Sequence, residues 1–119
     1  MDKRIVFNLN AHWYNVIKSG EPEPETGKPK RIEYRRICPH WDARLWMSSK
    51  TFVAPFAAVM FGNSLQLLDK VYAVFRLGYS RKYPDIVRRI TSVDIGPCPY
   101  KGWDGNYYRV HFKEEKSHA

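Results

Sequence analysis

Apolar and polar positions fall into short blocks along this chain, and each block predicts an element. Residues 4–9 (Arg-Ile-Val-Phe-Asn-Leu) are rich in β-branched and aromatic side chains and predict a first strand. Asn10 then offers a helix N-cap. Trp13, Val16 and Ile17 recur at the i, i+3, i+4 spacing of one buried helical face, which puts Trp13 in the core. Gly20 suits the left-handed position just past such a helix. Glutamates and prolines alternate over residues 21–29. Proline breaks a helix and gives no N–H to a sheet ladder, so this stretch predicts an exposed, solvated connector. Its three glutamates form the one acidic patch of the sequence.

Residues 30–37 predict a strongly charged strand. The two-residue period puts Ile32, Tyr34 and Arg36 on one face and Arg31, Glu33, Arg35 and Ile37 on the other. Residues 41–49 predict a short helix. Residues 52–61 are apolar and fit a helix or a strand equally well, with a turn at 62–64. Further strands are expected at 71–77, 86–95 and 106–113, separated by a loop at 78–84 and a turn-rich stretch at 96–105. The tail, 114–119, is expected to fray. The 119 residues suffice for one core. About five strands and two or three short helices predict a single α+β domain over residues 1–113, folded as a small mixed β-barrel.

Charge changes the picture from fold to partner. The net charge is +8 and the cations are clustered. Between residues 27 and 50, seven cations stand against two carboxylates, a net +5. Between residues 70 and 90, six stand against one, again +5. Such a field attracts phosphate backbones. No apolar run approaches the roughly 18–20 residues that span a bilayer, so no membrane partner is expected. No apolar h-region of signal-peptide length follows Met1–Arg4, so no signal peptide is expected and the default location is cytoplasmic. Cys38 and Cys98 read as structural or idle thiols. Cys38-Pro39-His40 lacks a second ligand pair, and His12, His40 and His111 have no metal spacing, so neither metal nor cofactor is expected.

Trp13…Gly20 followed by Lys30-Arg-Ile-Glu33-Tyr-Arg35 resembles the ASCH family, whose members carry a Gly-x-Lys-x-x-Glu-x-Arg motif running into their second strand. Lys30, Glu33 and Arg35 stand at the motif's Lys, Glu and Arg positions, while the glycine is displaced to Gly20 by the Pro/Glu insertion. Residues 74–80, with the Gly78-Tyr79 turn, resemble a strand and turn of short ASCH proteins, and residues 90–96 and 107–112 fit in order. The resemblance implies a PUA-like barrel with a cleft beside the motif, and RNA or a nucleotide as partner. It also implies two alternatives: a small amidohydrolase acting on a modified nucleoside such as N-acylated cytidine, or a ribonuclease.

The residues themselves keep these readings open. Lys30, Arg35, Arg36 and Arg76 are candidate phosphate contacts, and the planar fork of Arg35 suits a phosphate or a guanine edge. Tyr79, Trp41 and Trp46 are candidate stacking platforms, and Trp103 also neighbours positive charge. In the hydrolase alternative Lys30 is nucleophile or base and Glu33 a proton shuttle. Hydrolase-like members tend to carry Thr at the Glu33 position, which favours binding. A protein-interaction domain for an acidic partner is the third reading, supported by charge alone. Oligomeric state is not legible.

Overall fold

The computed structural model describes residues 3–46, 70–79 and 82–113. The apolar stretch 52–61, the turn at 62–64, the tail 114–119 and the side chain of Trp46 lie outside the described residues. Seven elements follow one another: β1 (Lys3–Leu9), α1 (Ala11–Ser19), β2 (Ile32–Arg35), α2 (Pro39–Trp46), β3 (Val71–Leu77), β4 (Ile86–Pro97) and β5 (Asn106–Phe112). The strands form one mixed sheet in the order β1-β3-β4-β5-β2. β1 pairs with β3 in parallel, and every other neighbouring pair is antiparallel.

β4 joins the two halves of the sheet. Its first residues, Ile86 to Arg89, pair with β3, and the rest, Ile90 to Pro97, pair with β5. The register shifts between Ile90 and Ser92, leaving Thr91 as an extra residue. Such a bulge bends a strand and increases its twist, which lets one strand serve both halves. Thr91 Oγ1 donates to the His111 carbonyl across the bulge, at 3.2 Å.

The core sits on one face of the sheet. Alternate residues Ile5, Phe7 and Leu9 of β1, Val71, Ala73 and Phe75 of β3, and Tyr108, Val110 and Phe112 of β5 point into it. Phe7, Phe75 and Phe112 form a chain of ring contacts through its middle.

α1 forms as its sequence predicts. Asn10 Oδ1 accepts from the Trp13 N–H at 3.0 Å, and Gly20 takes the left-handed C-cap at φ 71°. Its buried face differs: Tyr14 and Ile17 are buried, while Trp13 and Val16 are half-buried. The Tyr14 hydroxyl donates to the Pro84 carbonyl, which pulls that face inward. α2 begins at Pro39, two residues before the expected start; proline's fixed φ suits the first helical position.

Two expectations are corrected. The element count predicts a barrel, but β1 and β2 are the outer strands and share no ladder, so the sheet is not closed. β2 is only four residues long, and a side chain crosses the seam in place of a ladder: Arg35 Nη2 donates to the Asn8 carbonyl at 3.1 Å. Residues 21–29 are largely exposed, as expected, but they are not an open connector. A bridge between Pro22 and Pro29, with backbone bonds between Glu23 and Lys28 and between Gly27 and Glu23, closes them into a strap. Glu23 is buried beneath it because Tyr100 and Thr26 both donate to its carboxylate.

On the face away from the core Asp94 takes Arg109 Nε at 2.7 Å and Nη2 at 3.0 Å, with His111 Nε2 at 3.3 Å. Burial alone would push the Asp94 carboxyl up, but the hydrogen bonds from Arg109 and His111 outweigh it and hold the group below its ordinary value. A carboxylate depressed in the fold stabilises it above the unfolded value, about 4, and this contribution is lost as pH falls through the folded value. Asp94→Asn is therefore expected to lower Tm at pH 7 and to match the wild type in strong acid. A Tm gap that persists below the aspartate range would show that the ion pair is not its source.

Candidate nucleic-acid interface

The open seam between β1 and β2 is the mouth of a cleft of about 770 Å³. Its floor is charged. Glu33 and Arg35 alternate with Tyr34 along β2, and both turn toward β1. Arg35 Nε donates to Glu33 Oε2 at 2.9 Å, and its guanidinium lies 5.3 Å from the Phe7 ring and 5.0 Å from the Trp41 ring. Its side chain is 21% exposed, so one face of the fork meets the cleft.

Lys30 is held differently. Its side chain is only 3% exposed. Nζ donates to the Ile32 carbonyl at 2.7 Å and to the Tyr100 hydroxyl at 3.1 Å, and lies 3.5 Å from Glu33 Oε1. The rings of Trp13, Tyr34 and Tyr100 surround the ammonium at 4.8–5.4 Å. Such contacts strengthen when desolvated. Tyr100 passes the network on, donating to Glu23 Oε1 at 2.6 Å. One continuous relay thus runs Glu23–Tyr100–Lys30–Glu33–Arg35–Asn8, from the strap to the seam. Burial, then the bond to Glu23, pushes the Tyr100 phenol far above its ordinary value, so it stays a donor. Burial, with Cys98 nearby, pushes the Tyr34 phenol up to about 12.

The walls are aromatic. On one side Trp13 stacks on Tyr100 at 5.0 Å, Tyr100 meets Trp103 edge-on at 5.8 Å, and Trp103 meets Tyr107 at 5.4 Å. On the other side Trp41 lies flat on Phe7, with centroids 5.1 Å apart and planes 6° apart, and His40 meets its edge. Trp103 is 38% exposed, so the wall keeps a free ring face.

The structure brings together Lys30, Glu33, Arg35, Arg36, Trp41 and Trp103 of the residues singled out by sequence. Arg36 is exposed at the rim with no ion-pair partner among the described residues. Arg76 and Tyr79 do not line the cleft. Arg76 gives both arms of its fork to Asp85, at 3.1 and 2.9 Å, and Tyr79 is 89% exposed on the turn after β3. The backbone of Trp46 ends α2, but its side chain lies outside the described residues.

Sequence reasoning missed Tyr100, Tyr107, Asn8 and Glu23, and assigned Trp13 to the core alone. The available signal was four aromatic residues within 100–108, a stretch rich in glycine and turn signals. Tyr100 and Trp103 lie in that turn-rich stretch and Tyr107 near the start of β5, whereas Tyr108 points into the core. Cys38 lines the cleft as a free thiol, and Cys98 is also free. Among the described residues no group of three or more His, Cys, Asp or Glu is placed to hold a metal ion, and no helix is long and apolar enough to cross a membrane. No protein-family model, no curated protein and no solved structure matches this chain.

Proposed function

We propose that the seam cleft binds single-stranded nucleic acid or a nucleotide, RNA by preference. The observation that supports this most is the meeting of two chemistries in one hollow. Arg35 and Arg36 present guanidinium groups, and Trp41, Trp103 and Tyr107 present ring faces, around the same 770 Å³ of space. A phosphate needs the first and an unstacked base needs the second. The preference for RNA comes from the ASCH resemblance, and with it the proposal that this is a PUA-like domain whose ligand occupies the seam.

The state of Lys30 favours binding over chemistry. A lysine nucleophile must reach its substrate, and this ammonium is enclosed by three rings with its donors directed at Ile32, Tyr100 and Glu33. It serves the floor of the cleft as a strut.

The test is equilibrium binding of a mixed-sequence RNA octanucleotide, read by tryptophan fluorescence. Affinity is expected to fall steeply between 50 and 200 mM salt. Arg36→Ala should lower the salt slope by about 0.7, the value of one single-strand phosphate contact. Trp103→Ala should weaken binding by about 1–3 kcal/mol, as loss of a stacking platform does. A salt-independent affinity, or two variants that bind like the wild type, would overturn the reading.

A further inference from the structure

A hollow of about 320 Å³ lies beneath the strap, and Tyr34 and Tyr100 stand between it and the seam cleft. Its volume is at the low end of the range for small-molecule sites, about 300–1,000 Å³. Pro29, Ile32 and the two tyrosine rings give it an apolar body. Glu23, Thr26 and Lys28 of the strap bring polar groups to it. Arg31 is also on the wall but is already engaged in an interaction of its own.

Two opposite charges on this hollow lack counter-ions. Glu23 is only 7% exposed, yet both partners of its carboxylate are neutral hydroxyls: Tyr100 donates to Oε1 at 2.6 Å and Thr26 to Oε2 at 3.2 Å. No cation pairs with this carboxylate among the described residues. Lys30 reaches it only through Tyr100 and lies 3.5 Å from Glu33 instead. A buried charge is ordinarily paired, because hydroxyl dipoles return only part of the solvation that an ion loses. Lys28 is exposed on the same hollow, and its ammonium has no partner among the described residues. The strap ties the two backbones together, with the Glu23 N–H donating to the Lys28 carbonyl at 2.9 Å, but no ion pair joins the two side chains.

We propose that this hollow is a second binding site whose ligand is a small zwitterion with an apolar side chain, an amino acid by chemical class. The ligand's ammonium supplies the cation that Glu23 lacks, its carboxylate meets Lys28 at the exposed rim, and its side chain lies on Pro29, Ile32 and Tyr34. Each Glu23 oxygen accepts from one hydroxyl, so lone pairs remain for the ammonium. A simple cation is opposed by Lys28 and a simple anion by Glu23, so a molecule carrying both signs fits best. The two ends differ in strength. The contact to buried Glu23 forms away from water, whereas solvent weakens the contact to exposed Lys28. The site is separate from the seam cleft and does not depend on what that cleft binds.

The experiment titrates the full chain with each of the twenty proteinogenic L-amino acids at millimolar concentration, followed by backbone amide NMR shifts. One or more amino acids with apolar side chains should shift the amides of residues 23–32 saturably. For the tightest of them, the decarboxylated amine should bind about threefold more weakly, as loss of an exposed ion pair does. The deaminated acid should bind at least about tenfold more weakly, because it brings no donor to the buried carboxylate. Glu23→Gln should remove most of the preference for the amino acid over the deaminated acid. Lys28→Ala, at an exposed position, keeps the test open if Glu23→Gln fails to fold: it should weaken the amino acid about threefold and leave the amine unchanged. Absence of saturable shifts at residues 23–32 with every amino acid, or a deaminated acid that binds as tightly as its parent, would overturn the site. Neither result bears on the seam cleft, which the RNA titration tests alone.

Discussion

Lys30→Met is expected to lower the free energy of unfolding by about 3 kcal/mol, the low end of the range for breaking a buried ion pair. The reason is in what the ammonium leaves behind. Glu33 loses one of its two cations and keeps Arg35, which places the cost at the low end. The Ile32 carbonyl and the Tyr100 hydroxyl lose a donor inside a space lined by three rings, where water gains little access. An unpaired buried polar group costs about 1–3 kcal/mol. Methionine replaces the aliphatic stem but satisfies none of these atoms. Lys30→Arg should not restore stability, because a planar fork does not fit a site built around a compact ammonium. Tyr100→Phe should cost about 1–3 kcal/mol, since it separates Glu23 from Lys30 without removing either charge. Urea unfolding at neutral pH measures all three. A Lys30→Met protein as stable as the wild type would mean that the ammonium is solvated, and the enclosed relay would be wrong.

Phe7→Ala carries the second large effect, about 3–5 kcal/mol for an aromatic ring removed from a closed core. Phe7 is fully buried and touches Phe75 on one side and Trp41 on the other. It is the point where the core supports the cleft. The 6° stack sets the plane of Trp41, and the Arg35 guanidinium lies against both rings. Phe7→Leu separates the two roles. It keeps most of the volume, so stability should fall by less than about 1.5 kcal/mol. Trp41 nevertheless loses the flat surface that orients it, and octanucleotide affinity should fall while the fold persists. If Phe7→Leu binds RNA as tightly as the wild type, Trp41 is not a stacking platform.

The relay also explains why the strap belongs to the site. Glu23 reaches Tyr100, and Glu25 accepts from the Lys101 N–H at 3.2 Å. Two carboxylates of the acidic stretch therefore hold the turn that carries Trp103. Composition marks residues 21–29 as a connector, yet pairing with Tyr100 turns them into a support for the aromatic wall.

Local chemistry alone determined the elements. The run of β-branched and aromatic residues makes β1 and β3, Asn10 and Gly20 delimit α1, and the alternation in 106–112 makes β5, because propensity, capping and period act over a few neighbouring residues. The sequence also determined that Glu33 and Arg35 share a face of β2, since the pleat repeats every two residues. Tertiary structure decided everything that depends on distant partners: the seam left open between β1 and β2, the burial of Glu23 by a tyrosine 77 positions away, the enclosure of Lys30, and the withdrawal of Arg76 to Asp85. The physical reason is one of range. A side chain's preference for strand or helix is written in its own shape, whereas its charge partner, its exposure and the hollow it faces exist only once remote segments have been brought into contact.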